Sequence, residues 1–235
     1  MITALRALVL AVVGLALTSG CGSDGEGPST DPQSPSAMTS SATSETASVS
    51  EQSGQDPVTI TNYDADFTVH PSGDLSVVET LSLDVPVDDR HGIFRTFDAS
   101  MPVESFTATL DGGPTPVDYT AANGETGFKI GNPQQTLEVG EHVVRMEYEV
   151  SHVLTRDDTG GERFDWLLIP DQWSMGILAS DLRIALPSEV AEARCTIDHA
   201  QPCEVSRIDI RTLEITTDKL ADHTEVRLQA FMPGP

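Results

Sequence analysis

Glu79 and Arg95 are the residues of this 235-residue chain whose placement most needs a chemical explanation. Leu75, Val77, Leu81, Leu83 and Val85 alternate on one phase, the pattern of a strand with one buried face, and Glu79 falls on that phase. A carboxylate there needs a cation, and Arg95 follows the short apolar run Ile93, Phe94. The spacing predicts a Glu79–Arg95 ion pair in the core or at its rim, as an internal specificity device or as a ligand clamp. Carboxylates also cluster at Asp64 and Asp66, at Asp84, Asp88 and Asp89, and at Asp157 and Asp158. Such groups in interstrand loops supply oxygen ligands to calcium; against this stand the solvated loop as an ordinary explanation and the lack of an EF-hand pattern. Trp166 and Trp173 read as core aromatics, with an exposed coplanar pair, a platform for a glycan or a partner, as the alternative. The chain has no GxSxG elbow, HExxH, phosphate loop or GxGxxG. No catalytic residue is assigned, and a hydrolase reading rests on the abundance of carboxylates alone.

The elements that must hold these residues are strands. Val58 and Ile60 lie on one phase and Tyr63, Ala65, Phe67 and Val69 on the other, so the first strand shifts register near Thr61 and Asn62, as a bulge would make it do. The pattern from Val144 to Leu154 predicts one long strand with Val144, Met146, Tyr148, Val150 and Leu154 inward and His152 on the apolar side. Phe164, Trp166 and Leu168 alternate again, and further short strands follow to Met232. One helical turn fits residues 187–194. Ten or more short strands between turn signals predict an all-β fold, an antiparallel β-sandwich of immunoglobulin-like architecture, with little or no helix outside the signal peptide.

The N-terminus speaks to location. Arg6 precedes an apolar run, Ala7 to Leu17, too short to span a bilayer core of about 30 Å but suited to the h-region of a signal peptide. Leu17, Thr18, Ser19, Gly20 and Cys21 resemble a bacterial lipobox, which implies lipidation, with palmitate, of Cys21; an ordinary cleaved leader with an incidental cysteine is the alternative. Residues 1–20 are thus expected to be a lipoprotein signal peptide and 21–56 the lipidated cysteine with a disordered acidic linker, rich in Ser and Thr and without Lys or Arg. A coil of that length reaches roughly 30–35 Å.

Residues 57–235 remain as one domain. The chain has 37 acids and 13 bases; six acids fall in the linker and Arg6 in the leader, leaving this domain 31 acids against 12 bases. That excess excludes a nucleic-acid binder and leaves cations or basic partners as natural ligands, with solubility as its simplest use. Cys195 and Cys203 form an even pair in a chain bound for an oxidising compartment, and are expected to form a disulfide around Thr196 to Pro202.

The order GDLSVVETLSL, HGIFR, IGNP, GEHVVRMEYEV, FDW, DQW, SDLRIALP and a Cys pair resembles the extracytoplasmic N-terminal domain of a bacterial predicted-membrane-protein family of unknown function. The resemblance runs over residues 57–233 and implies a β-rich module outside the cytoplasmic membrane. Its motif residues here are Glu79, Gly92, Arg95, Trp166 and Trp173, and it assigns none of them a catalytic role. The reading that results is a lipid-anchored binding or interaction module on the extracytoplasmic face of the cell membrane. It meets the membrane through Cys21, has an envelope protein or glycan as partner, and needs no cofactor. A calcium-dependent ligand binder or a carboxylate-based hydrolase is the alternative.

Overall fold

The structure is a computed structural model that describes residues 56–158 and 160–234. The expected signal peptide, Cys21 and the linker up to residue 55 lie outside the described residues. Strands β1 (Thr59–Val69), β2 (Leu75–Val85), β3 (Ile93–Asp98), β4 (Val103–Leu110), β5 (Gly113–Pro114) and β6 (Val117–Ala122) come first. They are followed by β7 (Glu125–Ile130), β8 (Gly140–Val150), β9 (Leu154–Arg156), β10 (Glu162–Ile169) and β11 (Ser180–Ala185). β12 (Glu192–Ile197), β13 (Gln201–Cys203), β14 (Ser206–Arg207), β15 (Thr212–Thr217) and β16 (Val226–Met232) complete the chain. The described residues contain no helix, and the helical turn expected at 187–194 is instead irregular chain at 187–191 followed by the first residues of β12.

An eight-stranded sheet runs β14-β15-β11-β1-β2-β8-β4-β5, a five-stranded sheet β13-β12-β16-β10-β9, and a three-stranded sheet β3-β7-β6. Their apolar faces merge in a single core. Two features depart from the expected antiparallel, immunoglobulin-like plan. The strands divide among three sheets, and β1 pairs with β11 in parallel, Tyr63 opposite Ser180 through Thr68 opposite Ala185. A parallel partner needs a long crossover, which here carries most of the chain from β2 to β10.

Period-two patterning explains which faces are buried. On β2 every residue of the Leu75 phase is buried, Glu79 included. The β1–β2 register shifts between Ile60 and Asn62, and this extra residue lets Val58 and Ile60 share the buried face with Tyr63, Ala65, Phe67 and Val69. The long strand expected to run to Leu154 ends instead at Val150, because His152 takes a left-handed conformation (φ 62°) and points to solvent while its N–H donates to Asp74 Oδ1 at 3.2 Å. Cys195 and Cys203 stand opposite each other on β12 and β13 and form a disulfide.

Chain entry is anchored by Asp56, the last residue of the expected linker. Its carboxylate pairs with Arg90, accepts from the Ser174 hydroxyl at 2.7 Å and caps the Val58 N–H at 3.1 Å. Burial works against that carboxylate, but the Ser174, Val58 and Arg90 bonds outweigh it and hold its pKa below the ordinary value.

Candidate functional site

Glu79 and Arg95 meet inside the protein. The carboxylate is fully buried and the guanidinium is 3% exposed. Arg95 Nε donates to Glu79 Oε2 at 3.0 Å and Nη2 to Oε1 at 2.9 Å, a bidentate fork. Nη2 also donates to the Tyr148 hydroxyl at 3.1 Å, Nη1 donates to the Thr96 carbonyl at 3.0 Å, and the Tyr148 hydroxyl donates to Glu79 Oε1 at 2.7 Å. The acceptors and most of the guanidinium donors are therefore satisfied, as a buried pair requires. The Phe97 ring lies 4.3 Å from the Arg95 guanidinium carbon and caps the network as a cation–π neighbour.

Strand register brings the partners together. Glu79 on β2 stands opposite Ala65 on β1 and Met146 on β8. Tyr63 is opposite Leu81, and Tyr148 opposite Val77, so each tyrosine is a diagonal neighbour of Glu79, within reach of a long side chain. The Tyr63 hydroxyl is buried beside the carboxylate without a hydrogen bond of good geometry. Desolvation, with Glu79 adding to it, pushes the Tyr63 phenol well above its ordinary pKa. Desolvation likewise raises Tyr148, against the pull of Arg95. For Arg95 burial opposes the charge, but Glu79 outweighs it and raises the pKa, so the guanidinium stays charged. Both tyrosines were legible as members of buried phases, but which strands flank β2 was not.

The motif glycine Gly92 positions Arg95. Gly92 (φ 131°) passes Gly131 (φ 134°) so closely that a Cβ on Gly92 would lie 1.9 Å from the Ile130 carbonyl oxygen, and one on Gly131 2.4 Å from the His91 carbonyl oxygen. This crossing sets Ile93 opposite Ile130 and starts the β3–β7 ladder that turns Arg95 inward.

Arg95 also floors a cleft of about 410 Å³. One wall is Arg95 to Asp98 on β3; another is Asp165 to Leu167 on β10. Among the described residues β3 is an edge strand paired with β7 alone, and β9 covers β10 only from Glu162 to Phe164. Two unpaired strand segments thus border one cleft. Asp165 on its wall accepts from Arg227 Nε at 2.6 Å and Gln229 Nε2 at 2.9 Å, bonds that lower its pKa in spite of partial burial.

The other sequence candidates are placed as follows. Trp166, 8% exposed, borders the cleft and stacks on Phe164; Trp173, 4% exposed, meets Tyr63 edge-on in the core. They form no exposed coplanar pair, which corrects the platform alternative: Trp166 lies on the inward phase of β10, and Trp173 is buried in the turn that follows. Asp64 and Asp66 project from the solvent face of β1, Asp88 and Asp89 lie in the loop before β3, and Asp157 accepts the Gly161 N–H at 2.9 Å within the turn that also holds Asp158. Among the described residues no three His, Cys, Asp or Glu side chains gather to hold a metal ion, whereas calcium takes 6–8 oxygens. Among the described residues no helix is long and apolar enough to cross a membrane.

Known structures share this fold at low identity. Native yeast LTA4 hydrolase matches with a TM-score of 0.52 at 10% identity over 74% of this chain and 29% of its own. Yeast LTA4 hydrolase in complex with Bestatin matches with a TM-score of 0.51 at 11% identity, over 74% and 28% of the two chains. The present chain thus spans under a third of those enzymes, and the likeness is one of fold alone. No curated protein matches. The family model described as the N-terminal domain of a predicted membrane protein, DUF2207, matches residues 59–232, and the chain belongs to that family.

Proposed function

We propose that this chain is a lipid-anchored binding module on the extracytoplasmic face of the cell membrane, held by Cys21 and presenting the β3–β10 cleft to an envelope protein. The observation that carries the reading is the cleft, where two unpaired strand segments lie above a buried Glu79–Arg95–Tyr148 network. A network with its partners satisfied fixes the cleft floor, and a fixed floor lowers the ordering cost of binding. The leader, the lipobox-like LTSGC and the acidic linker support the anchor. The family supports a membrane setting.

Two measurements test it in cells that export the protein. Labelled palmitate should enter the full chain and be absent from the Cys21→Ala variant. A photo-crosslinking residue at Leu167 should capture one envelope protein, whereas the same residue at Asp64, on the solvent face of β1, should not. Equal labelling of wild type and variant refutes the anchor, and indiscriminate capture from both positions refutes the cleft.

A further inference from the structure

The unpaired segments beside the cleft identify the chemistry of its ligand. Several other sheet edges are short: β5, β9, β13 and β14 are two or three residues long, and β5 and β13 contain Pro114 and Pro202, while β6, the far edge of the β3 sheet, has six residues but lines no part of this cleft. β3 has six residues with neither proline nor lysine, and β10 continues past its pairing with β9 from Asp165 to Ile169 without either. Backbone N–H and C=O groups at ladder spacing recognise another extended backbone, with alternate side chains entering the cleft.

Charge at one end narrows the partner. Asp98, at the end of β3, stands directly opposite Glu125 on β7; both are exposed, and neither is in an ion pair among the described residues. Like charges opposite each other on a sheet are unfavourable, and the Asp98 carboxylate is oriented by the Ser100 N–H and hydroxyl. The domain's excess of acids adds a long-range field of the same sign.

We propose that an extended polypeptide segment of a partner protein, carrying a lysine or arginine at one end, adds as a strand to the β3 and β10 edges of the cleft, its cation meeting Asp98 and Glu125. This rests on the cleft being the binding surface of the module.

The test selects binders from a displayed library of random dodecapeptides on the immobilised full chain, keeping those that a bulky label at Leu167 excludes. Such peptides should contain a basic residue, and binding should slow amide exchange in β3 and at residues 165–169. Backbone N-methylation of alternate peptide residues in one parity, which deletes two ladder hydrogen bonds, should weaken binding about a hundredfold, and in the other parity much less. Asp98→Asn with Glu125→Gln should weaken it about tenfold and flatten its salt dependence. Cleft-bound peptides indifferent to N-methylation, with no amide slowed, overturn strand addition while leaving the cleft as a side-chain binding surface. Failure to select any peptide that the Leu167 label excludes also overturns it, and the crosslinking from Leu167 then decides separately whether the module reading survives.

Discussion

Replacing Glu79 with glutamine keeps the shape of a fully buried side chain and removes its charge. The Arg95 guanidinium, held protonated, would then face an amide that accepts through one oxygen and presents N–H donors to the other half of the fork. The Tyr148 hydroxyl would compete for the same oxygen. Breaking a buried pair by neutralising one partner costs about 3–5 kcal/mol, since the other charge stays desolvated. A domain of this length loses about 2–4 °C of melting temperature per kcal/mol, so Glu79→Gln is expected to melt roughly 6–20 °C below wild type. Thermal and urea denaturation of the full chain, followed by circular dichroism, measure this. The companion is the double variant Glu79→Met, Arg95→Met, which removes both charges and fills the space with apolar atoms. It should recover much of the loss, because replacing a whole buried pair by packed apolar groups is often neutral or stabilising. A Glu79→Gln melt within 2 °C of wild type, or a double variant as poor as the sum of its single changes, would refute the account of the network.

Two further predictions concern positions away from the pair. Gly92→Ala places a Cβ against the Ile130 carbonyl at a φ of 131° and should destabilise by more than about 2 kcal/mol in urea titration, whereas Gly124→Ala, in open space at φ 81°, should cost about 1–2 kcal/mol; equal losses would refute the crossing as the cause. His142 and Asp111 give a pH signature. Both imidazole nitrogens face acceptors, Asp111 Oδ2 and the Glu138 carbonyl, each at 2.8 Å, so despite partial burial these bonds raise the His142 pKa above its ordinary 6.5. A raised pKa means stabilisation that is complete below about pH 6.5 and is lost as pH rises through the folded-state value. Burial opposes Asp111 too, but its bonds to His142 and Val143 lower its pKa below 3.8, so its share is lost only as pH falls through that lowered value. The stability gap between wild type and His142→Gln should be widest near pH 4–6.5 and narrow by pH 9, and a gap constant from pH 5.5 to pH 9 would refute the charged pair.

Much of this was legible in the chain itself. Glu79 and Arg95 were linked from sequence because a period of two admits no ambiguity on a strand as regular as β2, and a carboxylate in that series demands a cation. Tyr148 and Tyr63 escaped because their role depends on which strands flank β2, a non-local choice that neither strand's own pattern encodes. The same holds for the parallel β1–β11 pair: β11 alternates apolar and polar residues like its antiparallel neighbours. His152 shows the opposite failure, a local one. Its position continues the apolar phase of β8, but the Asp74 carboxylate draws its N–H out of the ladder and bends the chain. The cleft was not foreseeable either, since it exists where β9 stops covering β10, a matter of strand length rather than of residue type.

The β1–β11 pairing also orders assembly in time. β1 and β2 form a hairpin from adjacent sequence, but the second edge of β1 stays open until Ser180–Ala185 has been made, and that of β2 until Gly140–Val150 has. Closing contacts of such sequence separation costs loop entropy before it is rewarded, which slows folding. Until β3 has packed against it, the hairpin also carries Glu79 without its cation, so a collapse around β2 alone would strand a carboxylate in apolar surroundings. The buried charge that specifies the finished core therefore penalises its premature formation, and the sheet around β2 is stable only once β3 has delivered Arg95.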